Sequence, residues 1–170
     1  MRRPVRRDGF PSPDHDHGTC LAHSLERAEA VFERQGLRLT TLRRSVLEEV
    51  ASSHQAIGAY EVLERLARRG GRRLAPISVY RALDTLVAAG VVHRLESRNA
   101  YFACHGAHGE GRRQIVLSCE HCGAVAEVER PGVMAGIVEA AEQTGFRVQR
   151  ALIEVMGRCS ACGAAGGGAA

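Results

Sequence analysis

The chain has 170 residues, 45% of them hydrophobic and 25% charged, which is room for one ordinary domain or two small ones around a buried core. The longest near-continuous apolar run, Leu86–Val92, is far short of the roughly 20 residues that span a bilayer, and no apolar stretch follows the basic start, so neither a membrane protein nor a secreted one is expected. The net charge of +4 rests on arginine alone and is uneven: residues 24–98 hold 13 Arg against 9 acids, residues 99–170 hold 6 against 7, which suits a nucleic-acid-binding half joined to a half with another task.

Residues 1–22, with three prolines, two glycines and no periodicity, read as a disordered tail. The tail carries His15, His17 and Cys20, with His23 close behind, a tract that fits weak metal binding or a plain solvated segment. Ser24 is placed as the N-cap of a first helix, with Leu25, Ala28, Val31, Phe32 and Gln35 on one side and Gly36 ending it. Thr40 caps a second helix with the stripe Leu42, Val46, Leu47 and Val50, and a third, Ala59–Arg69, turns Val62, Leu63 and Leu66 inward. In a fourth helix, capped by Ser78 and ended by Gly90, Val79, Ala82, Leu83, Leu86 and Val87 repeat at helical spacing. A hairpin of Val91–Glu96 and Ala100–Cys104 follows, and helices followed by a two-stranded ribbon are the order of a winged helix-turn-helix. Residues 114–163 read as α+β: strands Ile115–Ser118 and Ala124–Val128, helix Val133–Thr144 and strand Arg147–Val155.

Two C-x-x-C pairs, Cys119/Cys122 and Cys159/Cys162, match a tetrahedral zinc site held by four thiolates. A redox dithiol would need one such pair at a helix N-terminus. If the hairpin turns on Arg98-Asn99, His93 lies directly across from Cys104 on one face, half of a second tetrahedral site. His105 and His108 follow at once, and Glu127 lies a little beyond Cys122; the same residues also fit ordinary exposed or hydrogen-bonded side chains. Tyr80 and Arg81, on the outer face of the fourth helix near its start, suit base edges in a major groove, as they also suit plain solvent.

These residues resemble the ferric uptake regulator family, and most closely its zinc-responsive branch, the zinc uptake regulators. The resemblance runs from about Ala22 to Cys162, through Arg38-Leu-Thr-Thr-Leu-Arg43, Ala56-Ile-Gly-Ala-Tyr60, Val79-Tyr-Arg-Ala-Leu-Asp84, Val92-His-Arg-Leu-Glu-Ser97, Asn99-Ala-Tyr101 and both cysteine pairs. It implies a cytoplasmic, homodimeric, metal-activated repressor of α+β fold, with two zinc ions per chain, one structural and one regulatory. Residues 23–104 would form the winged-helix DNA-binding domain, residues 105–163 the α+β dimerisation and metal-binding domain, and residues 164–170 a flexible tail. The structural zinc falls on Cys119, Cys122, Cys159 and Cys162, and the sensory zinc on His93, Cys104, Glu127 and one more histidine. Arg43, Tyr60 and Ser78 join Tyr80 and Arg81 as DNA contacts, with Arg94 and Arg98 on phosphates.

Two departures stand out. The family's Leu-Thr-Pro-Gln-Arg is Leu39-Thr-Thr-Leu-Arg43 here, and the place of its last sensory histidine holds Arg112 and Arg113, which cannot ligate zinc. Among the remaining histidines, His105 would point away from Cys104 on a strand and His121 belongs to the cysteine loop. Ordering the N-terminal tail costs far more entropy than folding back a local loop, so His108 is the expected fourth ligand. The iron branch's His-His-Asp-His stretch is absent, which argues against iron; an iron- or peroxide-responsive member of the same family is the alternative. A zinc-dependent or thiol-redox enzyme is the other alternative, but no His-Glu-x-x-His is present. Operator DNA is the expected partner, with no membrane and no small-molecule substrate.

Overall fold

Apolar side chains spaced three and four apart build the first half of the chain as helices, and strands predominate from Val92. The computed structural model describes Phe10 and residues 17–70, 74–104, 113–128, 130–149 and 151–163. Residues 17–104 belong to one compact unit and residues 113–163 to a second.

In the first unit, α1 spans His17–Arg34, so residues 17–22 are helical rather than part of a tail. Leu21 extends the stripe of Leu25, Ala28 and Phe32 backward and packs on the same core, which carries the helix past the expected start. Ser24 is therefore no N-cap: it is buried within the helix and its hydroxyl donates to the Cys20 carbonyl at 3.0 Å. Gly36 ends the helix with φ +64°, and the Leu37 N–H returns to the Phe32 carbonyl at 2.8 Å. Helix α2, Thr41–Ala51, is capped by Thr40, whose side chain accepts from the Arg43 N–H. Helix α3 is Ala59–Gly70 and α4 is Pro76–Ala89. The N-cap of α4 is Ala75, not Ser78, because Pro76 presets the first-turn backbone and has no N–H that would need a cap acceptor, and Ser78 donates its own N–H to the Ala75 carbonyl at 2.9 Å. Gly90 closes α4 in the left-handed region.

Phe32, Val46, Leu47, Val50, Val62, Val79, Leu83 and Leu86 bury their side chains completely, each contributing about 1.5–3 kcal/mol. The core also takes Ile57 of β1 (Ile57–Gly58) and Val92 of β2 (Val92–Leu95), with Tyr101 and Ala103 of β3 (Ala100–Ala103). These strands form an antiparallel sheet in the order β1-β3-β2. A two-residue strand such as β1 has too little alternation to be seen in sequence.

The hairpin does not turn on two residues. Glu96–Arg98 form a turn of 3₁₀ helix and Asn99 takes φ 47°, so four residues bridge the strands. His93 consequently pairs with Phe102, its ring 5.4 Å from the Phe102 ring, instead of with Cys104. The register differs from the expected one by two residues, and a shift of two leaves every side chain on its original face. Cys104 follows β3 directly and donates its N–H to the Val91 carbonyl at 3.0 Å.

The second unit comprises β4 (Arg113–Cys119), β5 (Val125–Val128), α5 (Pro131–Glu142), β6 (Ala151–Gly157) and the single turn α6 (Ser160–Gly163). Its sheet runs β5-β4-β6, with β4 antiparallel to β5 and parallel to β6, and α5 lies in the crossover between the parallel pair. Strand β6 begins later than the expected Arg147, because Gly145 at φ +78° and the Phe146 N–H on the Ala141 carbonyl close α5 first.

Candidate metal centre and nucleic-acid face

Parallel pairing brings the ends of β4 and β6 side by side, with Cys119 opposite Gly157, so Cys159 arrives two residues later next to the first cysteine pair. Cys119 to Cys122 form a tight turn in which Gly123 takes φ +73° and donates its N–H to the Cys119 carbonyl at 2.9 Å. Cys159 and Cys162 are bridged by the first turn of α6, Cys162 N–H to Cys159 carbonyl at 3.0 Å. All four sulfurs lie within 4.8 Å of one another, and no disulfide joins any of them. Cys122 Sγ and Cys159 Sγ are 3.7 Å apart. Zinc–sulfur arms of about 2.3 Å at the tetrahedral angle separate two sulfurs by about 3.8 Å, so the donor set fits the ion.

The electrostatics agree. Backbone N–H groups of Cys122, then of Cys159, lower the Cys119 thiol to about 6; the Cys159 N–H stands 3.4 Å from that sulfur. Burial first, and then the neighbouring sulfurs, push Cys162 up to about 12. For Cys122 the Ala124 N–H pulls downward, but burial and the hydrogen bond with Cys119 leave the thiol raised. The pocket stabilises one thiolate by itself, and charging the rest calls for a cation among them.

In the first unit, His93 on β2 and Cys104 after β3 are both buried, and a ring nitrogen of His93 lies within 4.8 Å of Cys104 Sγ. Glu127 is half-buried on β5 of the second unit, opposite Val116. His108, with His105, lies outside the described residues, as does His15. His17 opens α1 and packs its ring 4.8 Å from that of His54, while Cys20 is half-buried and His23 exposed on the same helix. His121 is exposed. Sequence reasoning missed Arg27: its guanidinium donates to Cys104 Sγ at 3.2 Å and also to the Cys104 carbonyl. Nothing in the pattern marks an arginine on a helix as the partner of a cysteine 77 residues on.

Around α4, Arg81 is exposed and Tyr80 and Ser78 half-buried. Tyr60, at the start of α3 and 68% exposed, meets the Tyr80 ring edge-on at 6.2 Å. Ile77, four residues before Arg81, is a large apolar side chain left 58% exposed, a surface suited to thymine methyls that the sequence pattern did not flag. Arg43 holds the Arg38 carbonyl at 2.6 Å, near the start of α2. In the wing, Arg94 is engaged by Asn99 at 2.9 Å and Glu96 at 3.3 Å, whereas Arg98 stands exposed in the turn.

The chain is similar to proteins of known structure and role. The Zinc uptake regulation protein of Escherichia coli (strain K12) is 36% identical over 144 residues, 85% of this chain and 84% of that protein. A zinc uptake regulator solved in complex with zinc and DNA matches with a TM-score of 0.79 at 34% identity, over 85% of this chain and 96% of that one. Holo XcZur matches at a TM-score of 0.74 and 37% identity, over 82% and 96%. The pattern of the Ferric uptake regulator family covers residues 34–156, and the chain belongs to that family.

Proposed function

We propose that this chain is a zinc-responsive transcriptional repressor that, as a zinc-loaded homodimer, binds operator DNA of zinc-uptake genes. The observation that carries the reading is the likeness, over 85% of the chain, to a zinc uptake regulator solved with zinc and DNA. Each chain binds two zinc ions in this reading. Cys119, Cys122, Cys159 and Cys162 hold the structural ion, supported by the tetrahedral spacing of their sulfurs. His93, Cys104, Glu127 and His108 hold the regulatory ion, supported by the buried His93–Cys104 pair. Zinc supplies a fixed tetrahedral bond geometry when bound. In this reading zinc loading controls the orientation of α4, the helix that carries Tyr80 and Arg81, and through it the binding of DNA.

Arg81, Tyr80, Tyr60 and Ser78 are assigned to the major groove, with Arg43, Arg94 and Arg98 on the backbone. Residues 23–104 are the DNA-binding domain and residues 105–163 the dimerisation domain. The latter assignment is supported by Val133, Ile137, Phe146, Val155 and Met156, large apolar side chains left exposed in the second unit. Both metal sets use four protein ligands and leave no position for a substrate or water, so the chain is a regulator and not an enzyme. The protein works in the cytoplasm, where its operators are; no described helix is long and apolar enough to cross a membrane. A gel shift on promoter DNA of zinc-acquisition genes, titrated in parallel with Zn²⁺, Fe²⁺ and Mn²⁺, tests the reading. Retardation at the lowest concentration of zinc supports it, and retardation that requires iron or manganese overturns it.

A further inference from the structure

Cys104 stands just beyond the last rung of the β2–β3 ladder, where strand pairing no longer fixes the backbone. Its N–H reaches the Val91 carbonyl at 3.0 Å, and from α1 the Arg27 guanidinium donates Nη1 to its sulfur at 3.2 Å and Nη2 to its carbonyl oxygen. We propose that Arg27 is the positioning residue of the regulatory zinc site: its forked grip on the sulfur and carbonyl of Cys104 holds that sulfur beside His93, ready for the ion, and ties the site to α1.

Three physical points carry this. Cys104 is only 2% exposed, and a sulfur that must ligate as a thiolate there needs a donor in place of water. The guanidinium is planar with rigidly spaced N–H groups, so one side chain reaches both atoms and fixes their relative position, which the single ammonium of a lysine does not do. A thiolate has several lone pairs, so the N–H contact and a metal bond coexist on one sulfur, and Arg27 has no need to withdraw on loading. Such outer contacts orient a ligand, and losing one typically lowers metal affinity 10–100-fold. Arg27 also immediately precedes Ala28, which is fully buried in the core shared with α4, so displacement of Cys104 is felt by the helices that carry the DNA face.

The inference rests on Cys104 being a regulatory ligand, and the experiment separates the two claims. Full-length protein with its tight site loaded is titrated with Zn²⁺ against a chromophoric chelator, and separately with Co²⁺ while the sulfur-to-cobalt charge-transfer band is followed. Arg27→Ala, Arg27→Gln, Arg27→Lys and Cys104→Ser are compared with the wild type. Arg27→Ala and Arg27→Gln are expected to weaken the second equivalent about 10–100-fold and to shift its cobalt band, with circular dichroism and the first equivalent unchanged. Arg27→Lys should restore little. If Cys104→Ser loses the second equivalent while Arg27→Gln keeps wild-type affinity and band, or if lysine restores both in full, the positioning role is wrong and the ligand assignment stands. If Cys104→Ser keeps the second equivalent at wild-type affinity, the ligand assignment itself fails, and the role of Arg27 with it.

Discussion

Cys122 and Cys159 hold their sulfurs 3.7 Å apart although they stand 37 positions apart in the chain. Only the alignment of two strand ends brings them together, so the metal and the sheet depend on one another. Replacing Cys159 by serine should abolish one zinc equivalent and cost the second unit several kcal/mol. Metal analysis and thermal denaturation followed by circular dichroism check this. A Cys159→Ser protein that keeps both its zinc and its melting temperature would sink the four-sulfur assignment.

The two proposed ions differ in donor chemistry, and so in lability. Mild chelation should strip one equivalent, the one held by mixed nitrogen, oxygen and sulfur donors, and DNA binding should vanish with it while the dimer persists. Sedimentation and gel shift on the same samples read both effects. A protein that never takes up more than one zinc per chain contradicts this.

Arg81 projects from the exposed face of α4, and Arg98 from the wing turn. Arg81→Ala should weaken specific binding by about 1–3 kcal/mol and relax preference at one position of the operator. Arg98→Ala should weaken binding to all sequences alike and reduce the salt slope by about one. Arg94, already engaged by Glu96 and Asn99, should show the smaller effect of the two wing arginines. An Arg81→Ala protein with unchanged operator preference would place base reading elsewhere.

The fourth regulatory ligand is testable by elimination. His108→Ala should lose the second zinc, while His105→Ala and a chain lacking residues 1–22 should retain it. The deletion removes the first turn of α1 and Leu21, so His17→Ala is the cleaner version of that arm. Loss of the site in either of these, with His108→Ala unaffected, reassigns the ligand.

Phe32 is 1% exposed where α1 meets the core of the first unit. Phe32→Ala should destabilise that unit by about 3–5 kcal/mol without touching any metal ligand. Urea denaturation at saturating zinc measures it; a change below about 1 kcal/mol would mean that α1 is not integral to the core.

The helices of the first unit were legible because Val46, Leu47, Val62, Leu83 and Leu86 recur at helical spacing, and a buried stripe leaves that trace in any sequence. Cap positions were less so: Ser24 and Ser78 have the right chemistry for N-caps, but Leu21 and Pro76 moved each helix start away from them. The partner of His93 lies two residues from the one the sequence suggests, since Arg98-Asn99 suits a two-residue turn as well as the end of the four-residue one that forms. The four-cysteine cluster was legible from spacing alone, because both short loops must place two sulfurs on one side. Arg27 left no trace, since a contact between a helix and a distant strand end has no period.

The parallel pairing of β4 with β6 also bears on how the second unit comes into being. Its first rung joins Arg113 to Ala151, 38 positions apart, so the ladder forms only after a long loop has closed. An ion captured by both cysteine pairs holds that loop shut, a constraint on the unfolded chain of about 4 kcal/mol on the chain-entropy account for about 40 residues. Closing that loop is then a cost that the ion and the strand ladder share, since either one, once in place, spares the other most of it.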